Sequence, residues 1–464
     1  MSDLAERVRR AKPEPFWLDD DASPEPLPPL AHDVSTDLLV VGGGYSGLWS
    51  ALLAKERHPD RAVMLVEAGT CGGEASGRNG GFCEASLTHG FDNGLSRWPD
   101  DLPALLRMGR ENLDEIEAAV SRYGIDCNFE RNGELDVATD EYQVDELRDA
   151  AAAMSAYGLP ATFVERDDAR ARFDSPAVLA ALHDPDVALV EPARLAWGLR
   201  SACLEAGVEI FESSHASAID RDDAGVRVRV GDRTVQARRV ILATNAFPPL
   251  LRRLRLMTVP VYDYALVTDP LSDLQRKEIG WAGREGVGDS GNQFHYLRLT
   301  RDNRILFGGY DAIYHYGNGI RRSYEQRQAT FETLGRHFEE YFPALQGIGF
   351  SHRWGGVIDT STQFCAFYGT AYDGAVAYAL GFTGLGVGAT RFAALVMLDL
   401  LDGAKTERTE LEMVRRKPLP FPPEPARYAG VQLTRWSLAK ADANQGKRNA
   451  WLKLTDALGL GFDS

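Results

Sequence analysis

Residues 37–54 read DLLVVGGGYSGLWSALLA, and their interpretation decides the fold. Residues 38–41 are an apolar run of strand type, and residues 48–54 continue as a helix. Between them Gly42, Gly44 and Gly47 stand at the spacing G-x-G-x-x-G, with Tyr45 and Ser46 at the helix entry. The first glycine permits a tight turn, the second lets backbone approach a pyrophosphate, and the third lets helix and strand pack closely. The N–H groups and the positive dipole end of the helix favour phosphate. A second apolar run, AVMLVE at 62–67, ends in Glu67 and is followed by Ala68. A carboxylate 25 residues after Gly42 accepts hydrogen bonds from ribose hydroxyls. Strand, turn, helix and acid together predict a dinucleotide-binding unit. The motif by itself does not separate a nicotinamide from a flavin cofactor. Residues 38–54 carry no charge, but four glycines break the run and it is short for a membrane span.

Three further segments narrow the reading. EASGRNGGFCEA, residues 74–85, holds Gly77, Gly80 and Gly81 around Arg78 and Asn79, more glycine than a turn requires. RRVILATNAFPPLL, residues 238–251, is a second buried strand entering a small-residue turn at Ala243, Thr244 and Asn245. GFTGLGVGATRFAA, residues 381–394, is a second helix entered through Gly384, Leu385, Gly386, Val387 and Gly388.

The rest of the chain divides around these landmarks. Residues 11–35 are rich in proline and acid and read as an extended arm, with Phe16 and Trp17 as anchors. Helical spacing runs over 101–123, 140–157, 192–206 and 323–342. Residues 256–310, including TVPVYDYALVT, FHYLRLT and RILFGG, alternate as an antiparallel sheet with one wet face. The 464 residues are 44% hydrophobic and 25% charged, which places the chain among folded soluble proteins of more than one domain. A formal charge of −16 disfavours nucleic acid and anionic membrane surfaces as partners. Five cysteines without C-x-x-C spacing predict reduced thiols and a cytoplasmic location, and with nine scattered histidines they draw no metal site. The first residues lack the apolar core of a signal peptide.

Taken in order, ASGRNGGF, EPARLAWGL, ILATNAF, TDPL (268–271), RILFGG and RWGG make the chain resemble the D-amino-acid-oxidase-like FAD oxidoreductases from about residue 14 to about residue 402. Within that family the resemblance is greatest to the gamma-glutamylputrescine oxidase branch of bacteria. It implies an α/β fold with a Rossmann-like FAD-binding domain of glutathione-reductase type, built from discontinuous segments. The expected segments are 36–97, 190–255 and 350–402. An α+β substrate domain with an antiparallel sheet is expected from 98–189 and 256–349, after an arm of 1–35 and before an extension of 403–464. The resemblance also implies that residues 74–85 run along the middle of FAD. Gly80 and Gly81 would admit backbone N–H groups to the cofactor, and Ser76, Arg78 and Asn79 would offer donors. Phe82 would face an apolar pocket, and the turn at 384–388 would lie against the flavin ring.

One departure bears on substrate. Many family members place an arginine four residues after the tryptophan of a W-x-G-x-R-P stretch, where it grips an α-carboxylate. Here the stretch is RWGGVIDTSTQF, with Trp354 kept and Ile358 in the arginine's place; Arg353 or Arg298 could supply charge from elsewhere. An apolar side chain makes no charge-assisted fork, so an amine without that carboxylate is expected. Neither the early loop nor the Trp354 region carries the histidine or cysteine that tethers flavin in some relatives, so FAD is expected to be non-covalent. Tyr262, Tyr264, His295, Tyr296 and Trp354 are candidates for an aromatic pocket around the amine. The implied chemistry is flavin-dependent amine oxidation, with oxygen or another acceptor taking the electrons and no protein acid–base group required. A dehydrogenase passing electrons to a carrier, an aromatic hydroxylase and a non-enzymatic flavoprotein are the alternatives.

Overall fold

The opening stretch forms strand Val34–Val41 and helix Tyr45–Arg57 in this computed structural model, which describes residues 3–460. Crowding explains the glycines of the turn. A Cβ on Gly47 would sit 1.8 Å from the Gly42 carbonyl oxygen, and one on Gly42, at φ +112°, would sit 2.3 Å from that of Ala243. Strand Val34–Val41 lies between Val63–Val66 and Arg233–Leu242, all parallel. Parallel pairing continues outward to Glu209–Phe211 on one side and Val376–Leu380 on the other. Helices Tyr45–Arg57, Pro192–Glu205 and Gly386–Asp402 cover one face, burying Leu38, Val40 and Leu65 completely. The opposite face carries Leu39, Met64 and Val66 and packs with Val226 and Val228 of the antiparallel strand Gly225–Val230. Coverage on both sides is what a parallel sheet requires.

The second sheet centres on Thr258–Thr268. It pairs with Phe350–Ser361 along its whole length and with Ile305–Gly309. The path continues through His295–Leu299, Gly286–Asp289, Glu134–Ala138 and Ala180–Asp184. Alternation along Thr258–Thr268 gives this sheet two distinct faces. Tyr262, Tyr264 and Leu266 pack toward helix Gln328–Tyr341 with Phe331, Leu334 and Phe338. Ala265, Val267 and Trp354 pack toward Trp17, Ala193 and Trp197.

Several expectations change. Strand Phe350–Ser361, assigned to the cofactor-binding segments, belongs to the second sheet. Helix Leu102–Arg122, assigned to the substrate domain, buries Leu105, Leu113 and Ile116 in the core of the first sheet. The second sheet has no wet face at its centre, because each face is covered and Ile305–Gly309 is buried throughout. Ahead of the arm at 11–35, Asp3–Arg10 is a helix whose Leu4 and Val8 meet Gly335. The described part of the C-terminal extension folds back as helices Ala426–Asp442 and Ala450–Ala457. Asp442 accepts the backbone N–H groups of Asn292 and Gln293, each at 3.0 Å, and Glu424 accepts that of Gly317 at 2.9 Å. Among the described residues no helix is long and apolar enough to cross a membrane.

Candidate functional site

A cavity of about 1570 Å³ lies between the two sheets and under the C-terminal helices. One small ligand occupies roughly 300–1,000 Å³, so this space suits a dinucleotide together with a second molecule. Gly44, Tyr45 and Ser46 line it at the start of helix Tyr45–Arg57, and Gly384, Leu385, Gly386 and Val387 line it at the start of helix Gly386–Asp402. Neither N-cap residue, Gly44 or Leu385, caps its helix with a side chain, although Ser76 Oγ takes the Tyr45 N–H, so both helix starts turn backbone donors toward the cavity. The Ser46 hydroxyl is buried without a hydrogen-bond partner. Gly384 has φ +97° and open space where a Cβ would stand. An uncapped helix start, an unpartnered hydroxyl and a bare glycine turn make a cradle that fits the pyrophosphate and ring of a dinucleotide.

Ala243 and Asn245 also line the cavity, as do Ser76, Arg78, Asn79, Gly80, Gly81 and Phe82. Gly42, Gly47, Glu67, Ala68, Gly77, Thr244 and Gly388 stand outside its lining. Gly42 and Gly47 shape the turn from behind, and Gly388 packs against the Glu84 carbonyl. Half-buried Glu67 accepts hydrogen bonds from the N–H groups of Gly43 at 2.6 Å and Gly69 at 2.7 Å. Burial pushes its carboxyl up, against the pull of those bonds.

The loop 74–85 uses its residues differently from the expectation. The Arg78 guanidinium, on the cavity wall, is engaged by groups of the chain itself. Its Nε donates to the Gly73 carbonyl at 2.9 Å, and it pairs with Glu325 at 3.0 Å and Glu74 at 3.5 Å. Arg322 bridges the same two acids, so the four charges tie the loop to the second sheet's connections. The Asn79 amide donates to the carbonyls of Ala75 and Ser76, and its oxygen accepts the Gly81 N–H. Ser76 Oγ accepts the Tyr45 N–H at 2.9 Å. Gly80 and Gly81 are glycine for packing. A Cβ on Gly80 would meet the Tyr296 ring at 2.8 Å, and one on Gly81 would meet the Val190 carbonyl oxygen at 2.2 Å. The Gly81 N–H is already committed to Asn79, so it is not the cofactor donor the sequence suggested.

Of the five aromatic candidates, the alternation of the second sheet separates two from the rest. Tyr296 and Trp354 line the cavity, with Trp354 Nε1 donating to the Arg78 carbonyl at 2.9 Å. Tyr262 and His295 do not line it and belong to the face toward helix Gln328–Tyr341. Tyr264 touches it, but its hydroxyl donates away, to the Tyr324 carbonyl at 2.8 Å. The Tyr296 ring lies between Gly80 and Gly308 and meets Phe82 edge-on at 6.0 Å. Its hydroxyl donates to Asp263 at 2.6 Å. Burial pushes the Asp263 carboxyl up to about 6, with the Tyr296 hydrogen bond opposing it. Ile358 lines the cavity. Arg353 instead bonds Gln328 and lies over Phe331, and Arg298 donates to the Val190 carbonyl beneath Trp17, so neither arginine enters the cavity.

Carboxylates were the feature not foreseen. Eleven Asp and Glu side chains line the cavity against five arginines. Glu134 and Asp136 alternate with buried Leu135 and Val137 on strand Glu134–Ala138, and that i, i+2 spacing in GELDVAT was a readable sign that both face one way. Asp359, 2% exposed, accepts the N–H groups of Gly381 and of Phe382 (3.1 Å) and so holds the loop before Gly384; burial pushes its carboxyl up to about 7. His89 also lines the cavity, and burial holds its imidazole below the usual value.

Comparison with known proteins agrees with this geometry. Residues 37–400 match the family model described as FAD dependent oxidoreductase. The gamma-glutamylputrescine oxidoreductase of Escherichia coli is 31% identical over 392 residues, covering 82% of this chain and 86% of that protein. The glycine oxidase of Geobacillus kaustophilus is 26% identical over 323 residues, covering 67% of this chain and 83% of that protein. Its crystal structure superposes with a TM-score of 0.69 over 83% of this chain and all of that one. The L-proline dehydrogenase of P. horikoshii has the same fold, with a TM-score of 0.67 at 18% identity over 83% of this chain and 96% of that one.

Proposed function

Because this chain belongs to the FAD-dependent oxidoreductase family, we propose that it is an amine oxidase whose substrate lacks an arginine-held α-carboxylate. The observation that carries the reading is Ile358 on the cavity wall, with Arg353 and Arg298 both committed elsewhere. Similarity to a gamma-glutamylputrescine oxidoreductase supports an amine substrate.

FAD, held without a covalent bond, would supply the acceptor for the hydride leaving the carbon beside the amine nitrogen; water would convert the imine to an aldehyde or ketone with release of ammonia or a smaller amine, and dioxygen would take the two electrons to give hydrogen peroxide. The chain's own groups hold the reactants and exclude water. Gly44 and Ser46 Oγ, on a turn that Gly42 and Gly47 shape from behind, would hold the pyrophosphate, and Glu67, whose oxygens already accept the Gly43 and Gly69 N–H groups, would give its remaining acceptor capacity to a ribose. The start of helix Gly386–Asp402 would lie toward the ring, where its dipole would favour negative charge. Trp354 and Tyr296 wall the substrate space. Asp263, beside Tyr296, orients the incoming ammonium and takes its proton, so that the nitrogen presents a lone pair.

The test is an anaerobic screen of amines and α-amino acids against the FAD-loaded protein, read as loss of the oxidised flavin band. Amines are expected to bleach it and α-amino acids to leave it. If α-amino acids bleach it best, the reading fails. Admitting air should then restore the band with stoichiometric peroxide; slow return would favour an electron carrier in place of oxygen.

A further inference from the structure

We infer that the substrate is a di- or polyamine whose second ammonium is held by Glu84, Glu134 and Asp136, while its reacting amine lies at Asp263 and Tyr296. This rests on the amine-oxidising reading and adds the charge at the substrate's far end.

The three carboxylates enter the same cavity from two strands. Glu134 and Asp136 share a face, and Asp184 stands directly across from Glu134 on the neighbouring strand. On the other side runs Gly286–Asp289, where Gly288 replaces a side chain with space. Its Cβ position lies 3.1 Å from Asp136 Oδ1 and 3.2 Å from Glu134 Oε1, so both carboxylates face one gap that belongs to the cavity. Glu84 arrives from strand Phe82–Glu84, next to the Gly80–Gly81 segment beside Tyr296.

These acids lack what normally accompanies recessed carboxylates. Among the described residues no hydrogen-bond donor reaches the side chains of Glu84, Glu134 or Asp136. Arg131 is spent on Asp186, Asp114 and Glu117. Arg110 acts on the group only through Asp184. Arg78, Arg427 and Arg448 are paired with Glu325, Glu424 and Asp456, and Arg435 bears on Tyr310 and not on these acids. Burial first, and repulsion from neighbouring carboxylates that include Asp184 second, raise all three carboxyls, Asp136 to about 7 and Glu84 to about 8. Uncompensated charge in a recess is costly unless a ligand supplies the counter-charge. An alkyl ammonium does so and passes its methylenes along apolar wall, whereas a carboxylate at the substrate's far end would be repelled.

The holoenzyme decides this with three matched series: α,ω-diaminoalkanes, n-alkylamines of equal carbon number, and the same diamines with one nitrogen acylated. kcat/KM for a diamine should exceed that of its equal-length monoamine by about 10- to 100-fold, the worth of a charge-assisted contact. Acylation, which removes the second charge, should cost the same factor. In the Glu134→Gln, Asp136→Asn double variant the diamine-to-monoamine ratio should fall toward one. Equal rates for diamines and monoamines, or preference for the acylated series, would overturn the inference while leaving the amine-oxidising reading intact. An unchanged ratio in the double variant would also overturn it. If no amine of any series reduces the flavin, both readings fall together. A variant that fails to fold leaves the decision with the wild-type ratios.

Discussion

Asp263 and its neighbours show how much one position on a strand decides. TVPVYDYALVT places an acid between two tyrosines, and alternation says only that Asp263 and the tyrosines face opposite ways. Which face meets the cavity depends on helix Gln328–Tyr341, some 60 residues away, covering the tyrosine side. The sequence therefore offered Tyr262, Tyr264 and His295 as readily as Tyr296, and passed over Asp263. With its carboxyl raised to about 6, Asp263 is half protonated near that pH and unable to hold an ammonium below it. kcat/KM should accordingly fall on the acid side of about pH 6. Asp263→Asn should lose about 100-fold at neutral pH and lose that acid limb, a size typical of a positioned proton acceptor. Tyr296→Phe should keep the limb but shift it to higher pH, because the removed hydrogen bond favours the charged form. Kinetic pH profiles of the three proteins check all of this, and an unchanged acid limb in Asp263→Asn would remove the role. The glycines divide in the same residue-by-residue way. Gly81→Ala drives a Cβ into the Val190 carbonyl and should lower stability by about 1–3 kcal/mol, read as a lower melting temperature in the apo and FAD-loaded protein alike.

At the level of elements, the strand–turn–helix units were readable and the pairings between distant strands were not. Val34–Val41, Tyr45–Arg57 and Gly386–Asp402 lie where local apolar runs and glycines put them, because their signals sit within about one turn of the residues they govern. Strand Phe350–Ser361 was assigned to the wrong part because its partner, Thr258–Thr268, is about 90 residues distant and nothing local names it. Yet that long strand joins the two halves of the site. Its Trp354 bonds the Arg78 carbonyl, its Ile358 faces the cavity, and its Asp359 holds the loop Gly381–Thr383. Removing the Asp359 carboxylate frees two buried N–H groups and the approach to Gly384. Asp359→Ala should thus weaken FAD retention by about 10-fold or more, since each unmade buried bond costs on the order of 1–3 kcal/mol. Flavin release measured by fluorescence after dilution checks it, and wild-type retention would show that the loop is held by other contacts.

Across the whole molecule, the acidic cavity wall couples substrate, stability and pH. A formal charge of −16 was read from the sequence only as a bar to nucleic acid and anionic surfaces. The structure draws part of that charge inward, where two strands bring Glu84, Glu134 and Asp136 together. The groups facing them are Asp184 and Asp289 on the sheet of Glu134 and Asp136 and Asp186 in the connection after Asp184, with Arg110 and Arg131 from outside that sheet and His295 bound to Asp289. Folding raises these carboxyls above their ordinary values near 4, so the folded chain binds protons more tightly than the unfolded chain. Their stabilising contribution is complete near pH 4 and is lost as pH rises through about 7 for Asp136 and about 8 for Glu84. The melting temperature of the FAD-loaded protein should therefore decline between about pH 4 and about pH 8 and level off above, and the Glu134→Gln, Asp136→Asn variant should decline less over that interval. A diamine remains cationic through most of that window while the carboxylates become fully charged. Its stabilisation of the wild-type protein should grow with pH, by mass action on a site that exists only in the folded state. Thermal unfolding at several pH values, with and without 1,4-diaminobutane under anaerobic conditions, measures both slopes. Parallel slopes for the two proteins would mean that the wall's charge is neutralised by groups of the chain itself, and that no second ammonium is required there.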